Sequence, residues 1–516
     1  MTGDRIRKLL PPVLVIAGTP LLLWLVYGPP YLNYDASYSL VWAQDIAKGL
    51  TPDYTGFIAP TPHPLQTLIS YLALPLGSGT EPALAWGVMF CFGVIIWLVY
   101  LLGRDLLNPW VGALAAVVVL TRPAFDRNAL ATYQDIPFVM FVVWALLLEV
   151  RQPRRGWPVL AMLSLAGLLR PEAWVLAGLY WLYLFPARSW KERIWLAVLT
   201  ASAPVLWAIS DWAVTGDLLH SLHGTSDLAA LLDRPRKPIE SPLWTLRFFG
   251  FTLREPLILG VPIGCAYLWF CARREFKILL GVAAIMTGVF MLTTIAGLPL
   301  IARYVLTPTI VLSVVYAAGV FGWRSLADDF PRKQMWKWIG VASLALSIIW
   351  IPWHVNVTNE TREKVENYET ISTALRDFAD DPRVVKYYNA CGRITTTDHR
   401  PVPAFRYELE GAPNSVQSDN KLSGYPLADL ALYPANLDVA KRFYSTIPNL
   451  AAPKNVQGEQ YTVVASNWAW KLYASPDCVA AVKTQQTASE RRAELTASGR
   501  RNWQTWLSGY RRSSAT

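Results

Sequence analysis

The sequence predicts a polytopic α-helical membrane protein with a small extracytoplasmic α+β domain, and three observations predict it. Apolar residues gather into runs of about 17–22, long enough to cross roughly 30 Å of hydrocarbon. Cations recur in the short loops between those runs. Only 16% of the 516 residues are charged and 53% are hydrophobic, whereas soluble domains carry roughly 25% charged residues. The 24 Trp and 23 Tyr suit two interfacial aromatic belts. A net charge of +10 would point to nucleic acid in a soluble chain. Here, retention of basic loops in the cytoplasm accounts for it, and no nucleic-acid partner is expected.

Taken in order, the chain opens with Arg5, Arg7 and Lys8 before an apolar stretch, the pattern of a signal peptide. No small-x-small cleavage site follows; Tyr27-Gly-Pro-Pro-Tyr31 comes instead, so this is an uncleaved first span with a cytoplasmic N-terminus. Candidate spans fall at 12–28, 82–102, 109–121, 134–150, 157–169, 172–185, 193–212, 255–271, 277–296, 303–322 and 336–352. That makes about eleven, with 62–77 ambiguous and 157–185 either one bent span or two short ones. Arg104, Arg151, Arg154, Arg155, Arg188, Lys191, Arg193, Arg273, Arg274, Lys277, Arg324, Arg332, Lys333 and Lys337 then fall on one side. Span length and loop charge therefore agree.

The opposite side takes the longer loops at 29–79, 121–133 and 214–252, the turn Arg170-Pro-Glu172, and the loop at 296–303. Residues beyond Trp353 are there too, with a helix expected near 361–378 and strand-like runs at 393–397 and 461–465. The resulting division is a membrane domain over 1–352, an extracytoplasmic domain over 353–485, and a basic, flexible tail over 486–516. Cys91, Cys265 and Cys271 lie in apolar spans as small hydrophobes. Cys391 and Cys478 share the oxidising side and are candidates for one disulfide.

The first outer loop holds the chemistry-bearing residues: Asn33-Tyr-Asp35-Ala-Ser-Tyr38, Ala47-Lys-Gly49 and Pro62-His63-Pro64-Leu65. Leu40, Val41, Ile46 and Ala47 at helical spacing suggest a helix lying along the membrane surface. Asp35 either caps that helix or does chemistry. Asp135, at the outer mouth of a span in Gln-Asp135-Ile-Pro137, must cap, line a cavity or bind something to justify its cost. Asp126 and Arg127 are placed to pair with each other. Arg170, in Leu-Leu-Arg170-Pro-Glu172, and Arg303, in Ala302-Arg303-Tyr304, break the positive-inside pattern. Their planar forks suit phosphate or carboxylate, although Arg170 has Glu172 or an aspartate as internal alternatives.

These motifs, in their order and sidedness, resemble the GT-C superfamily of glycosyltransferases that use polyprenyl-phosphate sugars. The nearest in appearance are the protein O-mannosyltransferase and lipid A aminoarabinose transferase types. Tyr34-Asp35-Ala-Ser-Tyr38, Ala47-Lys-Gly49, Pro62-His63-Pro64-Leu65, Asp135-Ile-Pro137, Leu169-Arg170-Pro171-Glu172 and Arg303-Tyr304 carry the resemblance. Asp211-Trp-Ala-Val-Thr-Gly216-Asp-Leu-Leu-His220 is similar to a segment of bacterial members. The likeness covers roughly the first 350 residues. Many members have Asp-Glu in the first loop, where this chain has Asp35-Ala36, so one of those two acids is missing.

The resemblance implies transfer of one sugar, with inversion, from a polyprenyl phosphate to a glycan, glycolipid or protein acceptor on the outer face of a bacterial plasma membrane. Asp35 would be the base and Asp135 its helper. Arg303 and Arg170 would face the phosphate, with His63, Glu172, Tyr304 and Tyr38 completing the substrate site. His220 and His223 either line the acceptor's approach or sit in a solvated loop. The aspartates admit a divalent cation, although no dedicated ligand cage can be read. The outer domain would bind the acceptor or cover the site, its Trp468 and Trp470 serving as sugar platforms or as core. Membrane lipid is the remaining expected partner. The rival class is a transporter or flippase for a lipid-linked or anionic substrate, but such proteins show internal repeats and mid-membrane charges.

Overall fold

Backbone placed in hydrocarbon must satisfy its own N–H and C=O groups, so the apolar runs become helices. The protein, described here from a computed structural model, divides into two units, Met1–Glu369 and Thr370–Thr516. The structure describes residues 3–255, 257–418, 427–444, 447–454 and 458–485. The tail expected at 486–516, with Arg491, Arg492, Arg500, Arg501, Arg511 and Arg512, lies outside the described residues.

The first unit is helical throughout. In order it contains α1 (Gly3–Tyr27), α2 (Tyr34–Ala47), α3 (Pro64–Ala73), α4 (Thr80–Leu106), α5 (Pro109–Leu120) and α6 (Pro123–Leu130). There follow α7 (Asp135–Arg151), α8 (Trp157–Gly167), α9 (Glu172–Leu184), α10 (Trp190–Thr215), α11 (His220–Leu231) and α12 (Ser241–Leu253). The series continues with α13 (Leu257–Cys271), α14 (Arg273–Leu292), α15 (Leu306–Phe321), α16 (Lys333–Ile349) and α17 (Ile351–Ala379). Among the described residues five helical stretches are long and apolar enough to cross a membrane, or up to eight if each bent pair counts as one span. The bent pairs are α6 with α7 at 119°, α12 with α13 at 100°, and α16 with α17 at 45°. The ambiguous stretch at 62–77 is α3, which passes through a 3-10 turn at Leu74–Gly79 into α4. The segment at 157–185 is two helices, α8 and α9.

α15 is the central element, buried along nearly its whole length. Gly319 on α15 faces Gly264 on α13, and a Cβ on either would collide with the other helix's backbone. Small residues at such crossings let transmembrane backbones approach closely. Because α15 is central, the turn that precedes it, Ala302–Val305, delivers Arg303 to the middle of the unit.

The second unit contains the end of α17, then α18 (Pro382–Cys391), α19 (Val402–Glu408) and α20 (Leu437–Phe443), with a sheet of five strands. The strands are β1 (Ile394–Thr396), β2 (Val416–Ser418), β3 (Leu430–Pro434), β4 (Thr462–Ser466) and β5 (Trp470–Ala474), in the order β2-β1-β3-β5-β4. β1 is parallel to both β2 and β3, and β3–β5 and β5–β4 are antiparallel. β1 and β3 are buried at every position, as parallel strands covered on both faces are. The runs at 393–397 and 461–465 correspond to β1 and β4. Trp470 is core, its Nε1 donating to the Ile371 carbonyl, whereas Trp468 is exposed. Cys391, ending α18, is disulfide-bonded to Cys478 with 5.9 Å between Cα atoms.

Candidate active site

Three backbone clamps assemble the site on the face of the long loops. Residues 31–33 run beside 130–132: Tyr31 N donates to Leu130 O at 2.9 Å and Asn33 N to Ala131 O at 3.2 Å. The Asn33 side-chain amide donates again to Ala131 O, and Thr132 Oγ1 donates to Tyr31 O at 2.7 Å. This holds the start of α2, with Asp35, against the start of α7, with Asp135. Leu65 N donates to Leu168 O at 3.2 Å, setting His63 beside the 168–170 turn. Leu300 N donates to Pro235 O at 2.8 Å, fixing the approach to Arg303.

Asn33, not Asp35, caps α2: its side-chain oxygen accepts from Ala36 N at 2.9 Å. Asp35 is thereby released from capping and points a partly exposed carboxylate at Arg303, Nη2 to Oδ2 at 3.1 Å. Arg303 Nε lies 3.2 Å from Asp135 Oδ2, an ion pair whose alignment falls short of a hydrogen bond. The other Asp135 oxygen accepts from Arg170 Nη1, and Arg170 donates to Glu172 through Nε and Nη2. Five charges therefore alternate in one chain: Asp35, Arg303, Asp135, Arg170, Glu172. Three carboxylates against two guanidiniums leave one negative charge in excess.

Exposure divides this chain into a working end and a buried end. Side-chain exposure is 16% for Asp35 and 21% for Arg303, but 1% for Asp135 and 5% for Arg170. Two expectations change accordingly. Arg170 does not present its fork to a ligand, since Asp135 and Glu172 occupy it and the Tyr304 ring lies 3.4 Å from its guanidinium carbon. Asp135, almost wholly buried, orients two arginines and is not placed to touch an acceptor. Glu172 and Tyr304 serve Arg170 as partner and platform. They also line a cavity with Phe138, Leu176, Phe290 and Thr307.

His63 lies against this chain. Burial, with the charge of Arg170 beside it, pushes its imidazole pKa down to about 4. The neutral ring accepts from the Gln134 amide nitrogen at 2.7 Å and meets Trp207 edge-on. Tyr38 stands in an aromatic series with Tyr34 and Trp42 on a helix with nine of its fourteen residues buried. α2 is thus enclosed by protein where a surface helix was expected. Asp126 does not pair with Arg127; it accepts from the Tyr27 hydroxyl at 2.9 Å. His220 approaches the Tyr54 carbonyl at 3.3 Å, and His223 binds Asp217 at 2.7 Å.

Sequence reasoning missed Asn33 and Gln134; Tyr133, a candidate sugar platform or interfacial-belt residue, has its ring 4.6 Å from the Arg303 guanidinium carbon. The first was legible as a cap residue two positions before Asp35; the second was hidden by the adjacent Asp135. For a divalent cation the fit is poor. Arg303 already holds both candidate carboxylates, and among the described residues no three His, Cys, Asp or Glu side chains converge.

The sequence model of the family described as dolichyl-phosphate-mannose-protein mannosyltransferase matches residues 60–212. Among solved structures, ArnT from Cupriavidus metallidurans bound to undecaprenyl phosphate superposes with a TM-score of 0.55 at 13% identity. That match covers 90% of this chain and 97% of that one. The archaeal oligosaccharyltransferase AglB from Archaeoglobus fulgidus, in complex with an inhibitory peptide and a dolichol-phosphate, gives 0.48 at 12% identity. It covers 84% of this chain and 70% of that one. No curated protein sequence matches. The fold is that of a multi-pass membrane protein of the GT-C type. The family model matches under a third of the chain, and the likeness to ArnT is one of fold.

Proposed function

We propose that this protein transfers a single sugar, with inversion, from a polyprenyl-phosphate donor to a cell-envelope acceptor on the extracytoplasmic face. The observation that carries the reading is the pairing of a partly exposed carboxylate, Asp35, with a partly exposed guanidinium, Arg303, above a buried ionic base. Direct displacement at an anomeric carbon needs those two groups: a base for the incoming hydroxyl and a cation for the departing phosphate.

The donor phosphate enters beside Arg303 and takes over guanidinium donors now given to Asp35. Asp35 is thereby unmasked as the acceptor hydroxyl arrives. The bond from the acceptor oxygen to C1 forms as the bond from C1 to the phosphate oxygen breaks. The hydroxyl proton passes to Asp35, and the electron pair leaves with the phosphate monoester held by Arg303. Attack opposite the leaving group inverts C1. Asp135 and Arg170 hold Arg303 in place throughout, and the apolar cavity beside Tyr304 suits the first isoprene units of the donor.

The test is sugar transfer by purified protein, offering a panel of radiolabelled polyprenyl-phosphate sugars with membrane glycolipid as acceptor. Asp35→Asn is expected to lower the rate by about 10²–10⁴, the usual contribution of a general base, while the variant still binds donor. Unchanged transfer by Asp35→Asn would remove Asp35 from the mechanism.

A further inference from the structure

Residues 233–253 carry a feature that sugar transfer does not require. α13 contains no charged residue and has the composition of a span. α12 is bent by 100° from it, so with α13 along the bilayer normal α12 runs in the plane of the membrane. One face of α12 is committed to protein: Trp244, Phe248 and Phe249 pack with Phe290, Leu300, Tyr304 and Val305. The opposite face is apolar yet uncovered. Leu243 and Leu246 on it are 73% and 69% exposed, and Ile239, in the 3-10 turn Pro238–Glu240 that leads into α12, is 87% exposed.

Positions 243 and 246 are three apart, on one stripe of α12, with Ile239 exposed in the turn before it. Such a stripe is costly against water but not against acyl chains. Lys237 and Arg247 bracket it, both exposed, and Arg234 and Arg236 stand just upstream, half-buried. Over 233–247 four cations face two acids, Asp233 and Glu240. These cations lie on the long-loop face, where retention of basic loops in the cytoplasm does not explain them. Phosphate headgroups supply the missing anion.

We propose that α12 is an interfacial helix seated in the leaflet on the long-loop face, with Lys237 and Arg247 gripping anionic lipid headgroups. Its other face supports the turn carrying Arg303, so the leaflet bears on the position of that guanidinium. The surface is distinct from the Asp35–Arg303 site and needs no donor to be occupied.

The test uses full-length protein with Cys91, Cys265 and Cys271 changed to Ser and the Cys391–Cys478 disulfide intact. It is reconstituted in vesicles of phosphatidylcholine with phosphatidylglycerol. Nitroxide labels at Leu243→Cys and Leu246→Cys are expected to be more accessible to oxygen than to a water-soluble nickel chelate. Greater accessibility to the chelate would put the stripe in water, and shielding from both reagents would mean that protein covers it; either overturns the proposal. The double variant Lys237→Gln/Arg247→Gln is expected to lose tightly retained phosphatidylglycerol on delipidation, with phosphatidylcholine retention unchanged. Equal retention of phosphatidylglycerol by both proteins would overturn the headgroup assignment. No sugar transfer is measured, so failure here leaves the transferase reading standing, and the reverse also holds.

Discussion

Arg170 and Arg303 look alike in sequence, each an arginine at the mouth of a span, but their surroundings give them opposite duties. Arg170 is ringed by Asp135, Glu172 and Tyr304, and removing it strands the Glu172 carboxylate and takes from the buried Asp135 one of its two cations. Arg170→Met should cost about 3–5 kcal/mol, read as a lower thermal unfolding midpoint. Arg303→Met leaves Asp135 its partner in Arg170. It should unfold close to the parent temperature yet lose about 10²–10³ in transfer rate, the cost of one lost transition-state donor. Equal losses of stability in the two variants would refute the division. His63 gives a pH test at the same scale. Its pKa is lowered to about 4 in the folded protein from an ordinary value near 6.5, so the unfolded chain takes up a proton first on acidification. Its contribution to stability is fully present above 6.5 and is lost as pH falls through the window down to about 4. The unfolding midpoint of His63→Gln should therefore fall less steeply across that window than the parent's. Internal pairing of Arg170 with Glu172 or an aspartate was legible as an alternative beforehand, but spacing gives sidedness and not which carboxylate turns toward which guanidinium.

At the scale of elements, the join between the start of α2 and the start of α7 decides whether Asp35 meets Arg303. Asn33 works twice in it, capping α2 and donating to Ala131 O. Asn33→Ala should cost about 0.5–2 kcal/mol as a lost cap. Its effect on transfer should exceed that figure, because the strand-like contact that aims Asp35 loosens as well. A kcat loss no larger than the fold destabilisation would limit Asn33 to capping. The helix at 34–47 was legible from the spacing of its apolar residues, and so were the two acids at helix starts. The enclosure of α2 was not: spacing suggested a helix along the membrane surface, yet its polar Ser37, Ser39 and Asp45 are buried as well. The bends were likewise hidden although spans were expected from 134 and 255, since a hydropathy run does not show a 119° turn at 131–134.

For the whole molecule, hydrophobic length and loop charge were enough to read the multi-pass architecture, and a change of pattern after Trp353 marked the second unit. The unit boundary by contacts falls later, inside α17, because a helix can carry its periodicity from one unit into the next without interruption. The Cys391–Cys478 bond closes 87 residues of the second unit and should contribute about 2–4 kcal/mol to it. Cys391→Ser with Cys478→Ser is expected to accelerate proteolytic cleavage within 370–485 while a fragment of the first unit survives at the parent's rate. Cleavage of both units at parental rates would show that the bond is dispensable.

The pairing of Asp35 with Arg303 joins residues 268 positions apart. Synthesis proceeds from the N-terminus, so the first loop reaches its face of the membrane long before the turn at 302–305 has been made. Throughout that interval the carboxylate has no guanidinium beside it and the leaving phosphate no seat. A ribosome that stops anywhere before Arg303 thus leaves an inert membrane protein, and competence arrives only when the central helix α15 is delivered.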